Sequence, residues 1–194
     1  SKNLNEETKA NNSLLSNETM DKDVTSSAAV KKTLTSDGKV LNIVEITDFH
    51  GQLKDSKDNL QIGAALAEKV KEVKASNENT LIIGGGDLYQ GTPVSNVLKG
   101  VPVQKVLSEM GMEVTTLGNH EFDWGLDTID NTTMDGANYS IVCSNLYKKN
   151  SNERKYDPYK IINKNGIKIA VIGGILNDVS SIVLPANIKD YEVK

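Results

Sequence analysis

Cysteine is almost absent. Cys143 is the only one in 194 residues, which excludes an intramolecular disulfide and a multi-cysteine zinc site. Low cysteine usage fits the cytosol and many exported bacterial proteins equally, so it leaves the compartment open. Long apolar runs are missing too: no stretch approaches the ~18 consecutive apolar residues of a membrane span, and the first residues lack the basic and apolar regions of a signal peptide. Nor is there an excess of charge of one sign. Lys plus Arg number 22 and Asp plus Glu 26, a net charge of −4 that offers no general attraction for a nucleic-acid polymer or an anionic lipid surface. Histidine is the last shortage, with His50 and His120 alone. Imidazole is the commonest side-chain ligand of catalytic transition metals, so any metal chemistry must lean on carboxylates and amides as well.

What is present divides into a leader and a fold. Hydrophobic residues make up 38% of the chain, below the ~45–50% of a typical globular protein, and the dilution is local. From Ser1 to about Thr35 the chain is Asn, Ser, Thr, Lys, Asp and Glu with scattered Leu and Val, and no aromatic residue precedes Phe49. Such a segment buries too little apolar surface to offset its ordering entropy. Residues 1–36 are therefore expected to be a disordered or loosely helical spacer, with a docked helix through Ala28, Ala29 and Val30 as the alternative. Residues 37–194 are expected to form one domain.

Beyond Gly38 strands and helices alternate. Val40–Ile46 reads as a buried strand opening into Thr47-Asp48-Phe49-His50-Gly51. Ile62, Ala65, Leu66, Val70 and Val73 recur along one face of a helix. Thr80–Ile83 is a second strand, running into Gly84-Gly85-Gly86-Asp87. Pro93 and Pro102 stand where first helical turns tolerate proline, and Gly111 supplies a stop after Met110. Glu113–Leu117 and Ser140–Cys143 are a third and a fourth strand, and Lys160–Ile172 is a hairpin turning near Asn165-Gly166. This order predicts an α/β fold with a largely parallel sheet, in which ligands bind at the carboxyl ends of the strands.

Three of those ends carry groups suited to metal or acid–base chemistry. Asp48 and His50 are two apart and can reach one ion, or they belong to a surface loop. Asp87 follows three glycines that permit close approach. The Gly-Lys-Ser/Thr of a P-loop is missing, and a plain turn is the alternative. Asn119-His120-Glu121-Phe122-Asp123 offers an amide oxygen, an imidazole that Asp123 can orient, and acids. The same stretch also reads as a helix N-terminus capped by Asn119, with its acids favouring the dipole. Cys143 lies in an apolar strand and reads as a buried structural thiol. Trp124 and Phe122 read as packing that fixes the loop, and Lys148-Lys149 with Arg154-Lys155 as a solvated loop.

Taken in order, Asp48-Phe49-His50-Gly51, Gly86-Asp87-Leu88-Tyr89-Gln90-Gly91-Thr92 and Gly118-Asn119-His120-Glu121-Phe122-Asp123 resemble the first three motifs of the calcineurin-like metallophosphoesterases. Within these, the chain resembles the bacterial 5′-nucleotidase and 2′,3′-cyclic-nucleotide phosphodiesterase branch. The resemblance extends through Ser144-Asn145-Leu146 and Asn165–Gly173. It implies a β-sandwich flanked by helices, a four-layer αββα arrangement, incomplete in this chain. It also implies two divalent cations, of manganese, zinc, magnesium or iron, with Asp48, His50, Asp87 and Asn119 as metal ligands and His120 with Asp123 as the catalytic dyad. The implied reaction is hydrolysis of nucleotides by a water activated between the two ions, by a protein working outside the cell, in the cell wall or in the periplasm.

One departure stands out. The family completes its metal shell with downstream Gly-His and Gly-His-x-His motifs, and both histidines of this sequence are already used in earlier ones. The family's C-terminal substrate-binding domain is also missing. The expectation is therefore the front part of a longer protein, with weak or absent turnover by residues 1–194 alone. The alternatives are a cyclic-nucleotide diesterase or 3′-nucleotidase with the same centre, a thiosulfohydrolase, and a binding module without catalysis.

Overall fold

The computed structural model describes residues 28–34, 38–55, 57 and 61–194. Four parallel strands set the frame: β2 (Val40–Ile46), β3 (Thr80–Gly84), β4 (Val114–Thr115) and β5 (Ser140–Ile141) are neighbours in that order. Every step moves the same way across the sheet, and right-handed crossovers then send all the connecting helices to one face. The main crossover helices are α1 (Ile62–Ser76), the short α2 (Pro93–Val97) and α3 (Val101–Met110). Leu66 and Val70 of α1 and Val103 and Leu107 of α3 share one core with Val44, Ile46 and Ile82 of the sheet. Pro93 and Pro102 lie in first helical turns and Gly111 stops a helix, as read from the chain. Thr92 caps α2 ahead of Pro93, and Gly111 closes α3 at φ 84°, a left-handed conformation that glycine adopts without steric cost.

The alternate side chains of the same strands point the other way. Leu41, Leu81, Val114 and Val142 form a second core with Ile162, which belongs to the hairpin of β7 (Tyr159–Lys164) and β8 (Ile167–Ile172). Asn165 and Gly166 turn this hairpin with φ values of 50° and 90°, the two positive angles that a type I′ turn requires. Helices, parallel sheet and hairpin are thus three stacked layers. This is the mixed α/β architecture expected, with the hairpin as the second β-layer among the described residues.

Two features differ from expectation. Ala28–Leu34, assigned to the spacer, is a strand, β1, paired antiparallel to β2 from Ala28↔Ile46 to Leu34↔Val40. It replaces both the spacer and the helical alternative over those residues, and the fold begins before residue 37. Its physical role is to pair the outer edge of β2, whose backbone groups would otherwise stand unpaired. The rest of the expected spacer lies outside the described residues. Second, β6 (Leu146–Lys148) and β9 (Tyr191–Val193) form an antiparallel pair that no sequence signal announced.

Candidate metal centre

The loops after β2, β3 and β4 are tied into one unit by their backbones. Asp48 N–H donates to Gly86 O (3.1 Å), His50 N–H to Asp87 O (3.0 Å) and Gly51 N–H to Leu88 O (2.9 Å), joining the first loop to the second. His120 N–H donates to Asp87 Oδ1 at 2.8 Å, joining the third. Asp48, His50 and Asp87 all have positive φ, at 51°, 50° and 53°. Non-glycine residues hold that conformation only where their surroundings over-determine it, and such positions cluster at functional sites. Close approach is enforced as well, since a Cβ at Gly118 would collide with the Asp87 carboxylate.

Within this unit, potential ligand atoms of His50, Asp87 and His120 all lie within 4.8 Å of one another. Asp48 stands beside them, its Oδ1 3.9 Å from His50 Nε2. His50 Nδ1 is 3.0 Å from Gln90 O. A carbonyl only accepts, so Nδ1 carries the proton in the neutral ring and Nε2 keeps its lone pair for a ligand role. His120 Nδ1 is 2.8 Å from Asp123 Oδ2, and this hydrogen bond, aided by the charges of Asp123, Asp87 and Glu121 against some desolvation, holds the imidazole above its ordinary pKa. Asn119 heads the 3₁₀ turn His120–Phe122, yet its side chain caps nothing in it. The structure therefore does not adopt the alternative of Asn119 as a helix cap. Hard carboxylate oxygens beside an imidazole with a committed tautomer are a donor set that fits a divalent cation.

Glu121 of the third motif is more than an acid near a helix dipole. Glu121 is 2% exposed, and its carboxylate accepts from the backbone N–H groups of Gly118 (2.6 Å), Asp87 (2.8 Å) and Leu88 (2.9 Å). Burial pushes its pKa up, and the three N–H groups pull it back. No sequence signal marks it, because an acid at the start of a helical turn is also satisfied by the helix dipole. Cys143 is buried as expected, with its thiol pushed up by desolvation, and takes no place at the centre. Trp124 is half-buried against the main core, with Lys99 Nζ 5.2 Å from its ring centroid.

The sequence profile of the calcineurin-like phosphoesterase family matches residues 41–192, and this chain belongs to that family of phosphoric ester hydrolases. Endonuclease YhcR of Bacillus subtilis is 31% identical over 175 residues, covering 78% of this chain and 14% of that protein. The 5′-nucleotidase of Vibrio parahaemolyticus is 33% identical over 150 residues, covering 75% and 26%. Among solved structures, the NAD nucleotidase NadN of Haemophilus influenzae superposes with a TM-score of 0.65 at 26% identity, over 79% of this chain and 33% of that one. The chain thus spans about a third or less of the length of each of these relatives.

Proposed function

We propose that the chain is the metal-holding part of a phosphohydrolase that releases phosphate from nucleotides, as in a 5′-nucleotidase. The observation that carries this reading is the convergence of His50, Asp87 and His120, with Asp48 beside them, on three loops of which the second is hydrogen-bonded to both others. Asp48, His50, Asp87 and Asn119 would hold two divalent cations, which when bound neutralise a phosphate dianion and acidify a water. Manganese, magnesium, zinc and iron all suit these donors.

The chain's own residues supply the remaining steps. His50 is oriented by Gln90, so its ring does not need to reorganise when Nε2 takes a ligand. Asp87 is fixed by the His120 N–H, so its carboxylate would be held in place as one of the groups that hold the ions. His120 has its Nδ1–H committed to Asp123, which stabilises the imidazolium. The other ring nitrogen then donates to a phosphoryl or leaving-group oxygen as charge develops there. The relative named as an endonuclease supports a second reading, the same centre acting on phosphodiesters.

The test is phosphate release from nucleoside 5′-monophosphates by the native protein, before and after chelation and Mn²⁺ re-addition, with bis-p-nitrophenyl phosphate as the diester probe. Chelator-sensitive turnover that Asp87→Asn abolishes is expected. Unchanged turnover after chelation or in Asp87→Asn refutes the reading, and a preference for the diester selects the second one. Residues 1–194 alone are expected to turn over slowly, because the two further family histidines are not among them.

A further inference from the structure

We propose that Glu121 is the positioning residue that presets the spacing of the metal ligands before any ion arrives, a role that rests on the metal-centre reading above. The two peptide units of Asp87 and Leu88 are held from both sides. Their carbonyls accept from His50 and Gly51 of the first loop, and their N–H groups donate to Glu121 of the third. Asp87 Oδ1 in turn accepts from the N–H of His120. Each of the second and third loops therefore contributes an acid that receives the other's backbone, and the first loop is locked to the second by the same peptide groups.

Oxygen Oε2 of Glu121 makes the decisive connection. It accepts from Asp87 N–H at 2.8 Å and from Gly118 N–H at 2.6 Å, so one atom spans the ends of β3 and β4. Oε1 accepts from Leu88 N–H at 2.9 Å. Every neighbour donates and none accepts, a pattern only an acceptor-only group satisfies in full. The three ligand-bearing positions with positive φ sit on the two loops joined by these peptide groups, and a left-handed aspartate or histidine persists only where neighbouring bonds outweigh its cost. Glu121 is buried, with both carboxylate oxygens committed to backbone N–H groups. It acts through Asp87 and His120.

The consequence is a metal affinity that depends on a carboxylate outside the ligand set, in the range of about 10–100-fold that groups orienting metal ligands commonly contribute. Glu121→Gln keeps the shape but turns an NH₂ toward backbone N–H donors. Glu121→Ala removes all three acceptor contacts. Mn²⁺ binding to the native protein and its variants by titration calorimetry is expected to fall in the order wild type, Glu121→Gln, Glu121→Ala, by about 10-fold or more at the last step. Ile162→Ala is the control: it lies in the second core, remote from the three loops, and is expected to lose stability while keeping wild-type Mn²⁺ affinity. Amide exchange in the metal-free wild type needs no variant to fold. The N–H groups of Asp87, Leu88 and Gly118 should be protected like those of β3. Equal Mn²⁺ affinity in wild type and Glu121→Ala, or rapid exchange of these three amides, overturns the positioning role alone. Failure of wild type to bind Mn²⁺ overturns the metal-centre reading and this role with it.

Discussion

His50 and His120 meet edge to face, with ring centroids 5.0 Å apart and ring planes 77° to one another. They are the only histidines in the sequence, so every imidazole signal of the protein reports on this one place. Each ring has its Nδ1 committed, His50 to the Gln90 carbonyl and His120 to the Asp123 carboxylate. The partners differ in charge, and that difference separates the two rings chemically.

A carboxylate partner favours imidazolium, so in metal-free protein His120 is expected to titrate above the ordinary value of about 6.5. The sign follows from linkage. A group whose folded pKa is raised adds stability that is fully present below the unfolded value near 6.5 and is lost as pH climbs through the folded value. Asp123→Asn should lower the His120 midpoint and flatten that part of the stability profile. NMR titration of the His120 imidazole measures the first effect, and urea unfolding at a series of pH values measures the second. A His120 midpoint at or below 6.5, or one indifferent to Asp123→Asn, would refute the pairing.

The ligand-capable trio includes His120, whereas the family resemblance casts His120 as the charge-stabilising partner and Asn119 as the ligand. His120→Asn separates these roles. If His120 acts on the phosphoryl group, the variant of the native protein should bind Mn²⁺ within a few-fold of wild type and lose about 10²–10⁴-fold in kcat, the usual worth of a proton-donating group. Loss of Mn²⁺ affinity parallel to that of Asp87→Ala would make His120 a ligand.

The strand ends, the helix starts at Pro93 and Pro102, the helix stop at Gly111, and the Asn165-Gly166 turn were legible because each depends on local backbone chemistry. So was the meeting of the loops after β2, β3 and β4, because a sheet built by same-direction crossovers brings consecutive strand ends together, although the ligand-capable group there is His50, Asp87 and His120, whereas the sequence pointed to Asp48, His50, Asp87 and Asn119. Ala28–Leu34 was not legible. Its strand character comes from the open edge of β2 rather than from its own composition, an example of tertiary context overriding propensity. Glu121 was overlooked for a related reason. An acid at the start of a helical turn looks like a dipole partner, and only the fold shows three backbone N–H groups from two loops converging on its carboxylate.

Ile162 tests the second β-layer. It is 6% exposed and anchors the hairpin to Leu41, Leu81, Val114 and Val142. Truncation removes apolar contacts on the sheet face opposite the helices and leaves a cavity. Ile162→Ala is expected to cost about 2–5 kcal/mol, read from the urea midpoint at unchanged m-value. A cost under about 0.5 kcal/mol would mean that the hairpin does not cover that face.

Gly118 links packing to the centre directly. It precedes Asn119 and lies against the Asp87 carboxylate, and a methyl group there would collide with Asp87 Oδ1 and Cγ. The neighbouring peptide at Gly86, itself at φ 94°, backs onto the Gly118 amide and leaves little room for retreat. Gly118→Ala must therefore push Asp87 away from the His120 N–H and strain the Gly118–Glu121 hydrogen bond. Overpacking of this kind costs about 1–3 kcal/mol. If the displaced group is a metal ligand, as proposed, Mn²⁺ affinity should fall by more than the stability loss explains. Denaturation at fixed pH and Mn²⁺ calorimetry on the same preparation measure the two quantities. A Gly118→Ala protein with wild-type stability and wild-type Mn²⁺ binding would show that Asp87 is not held where these contacts put it.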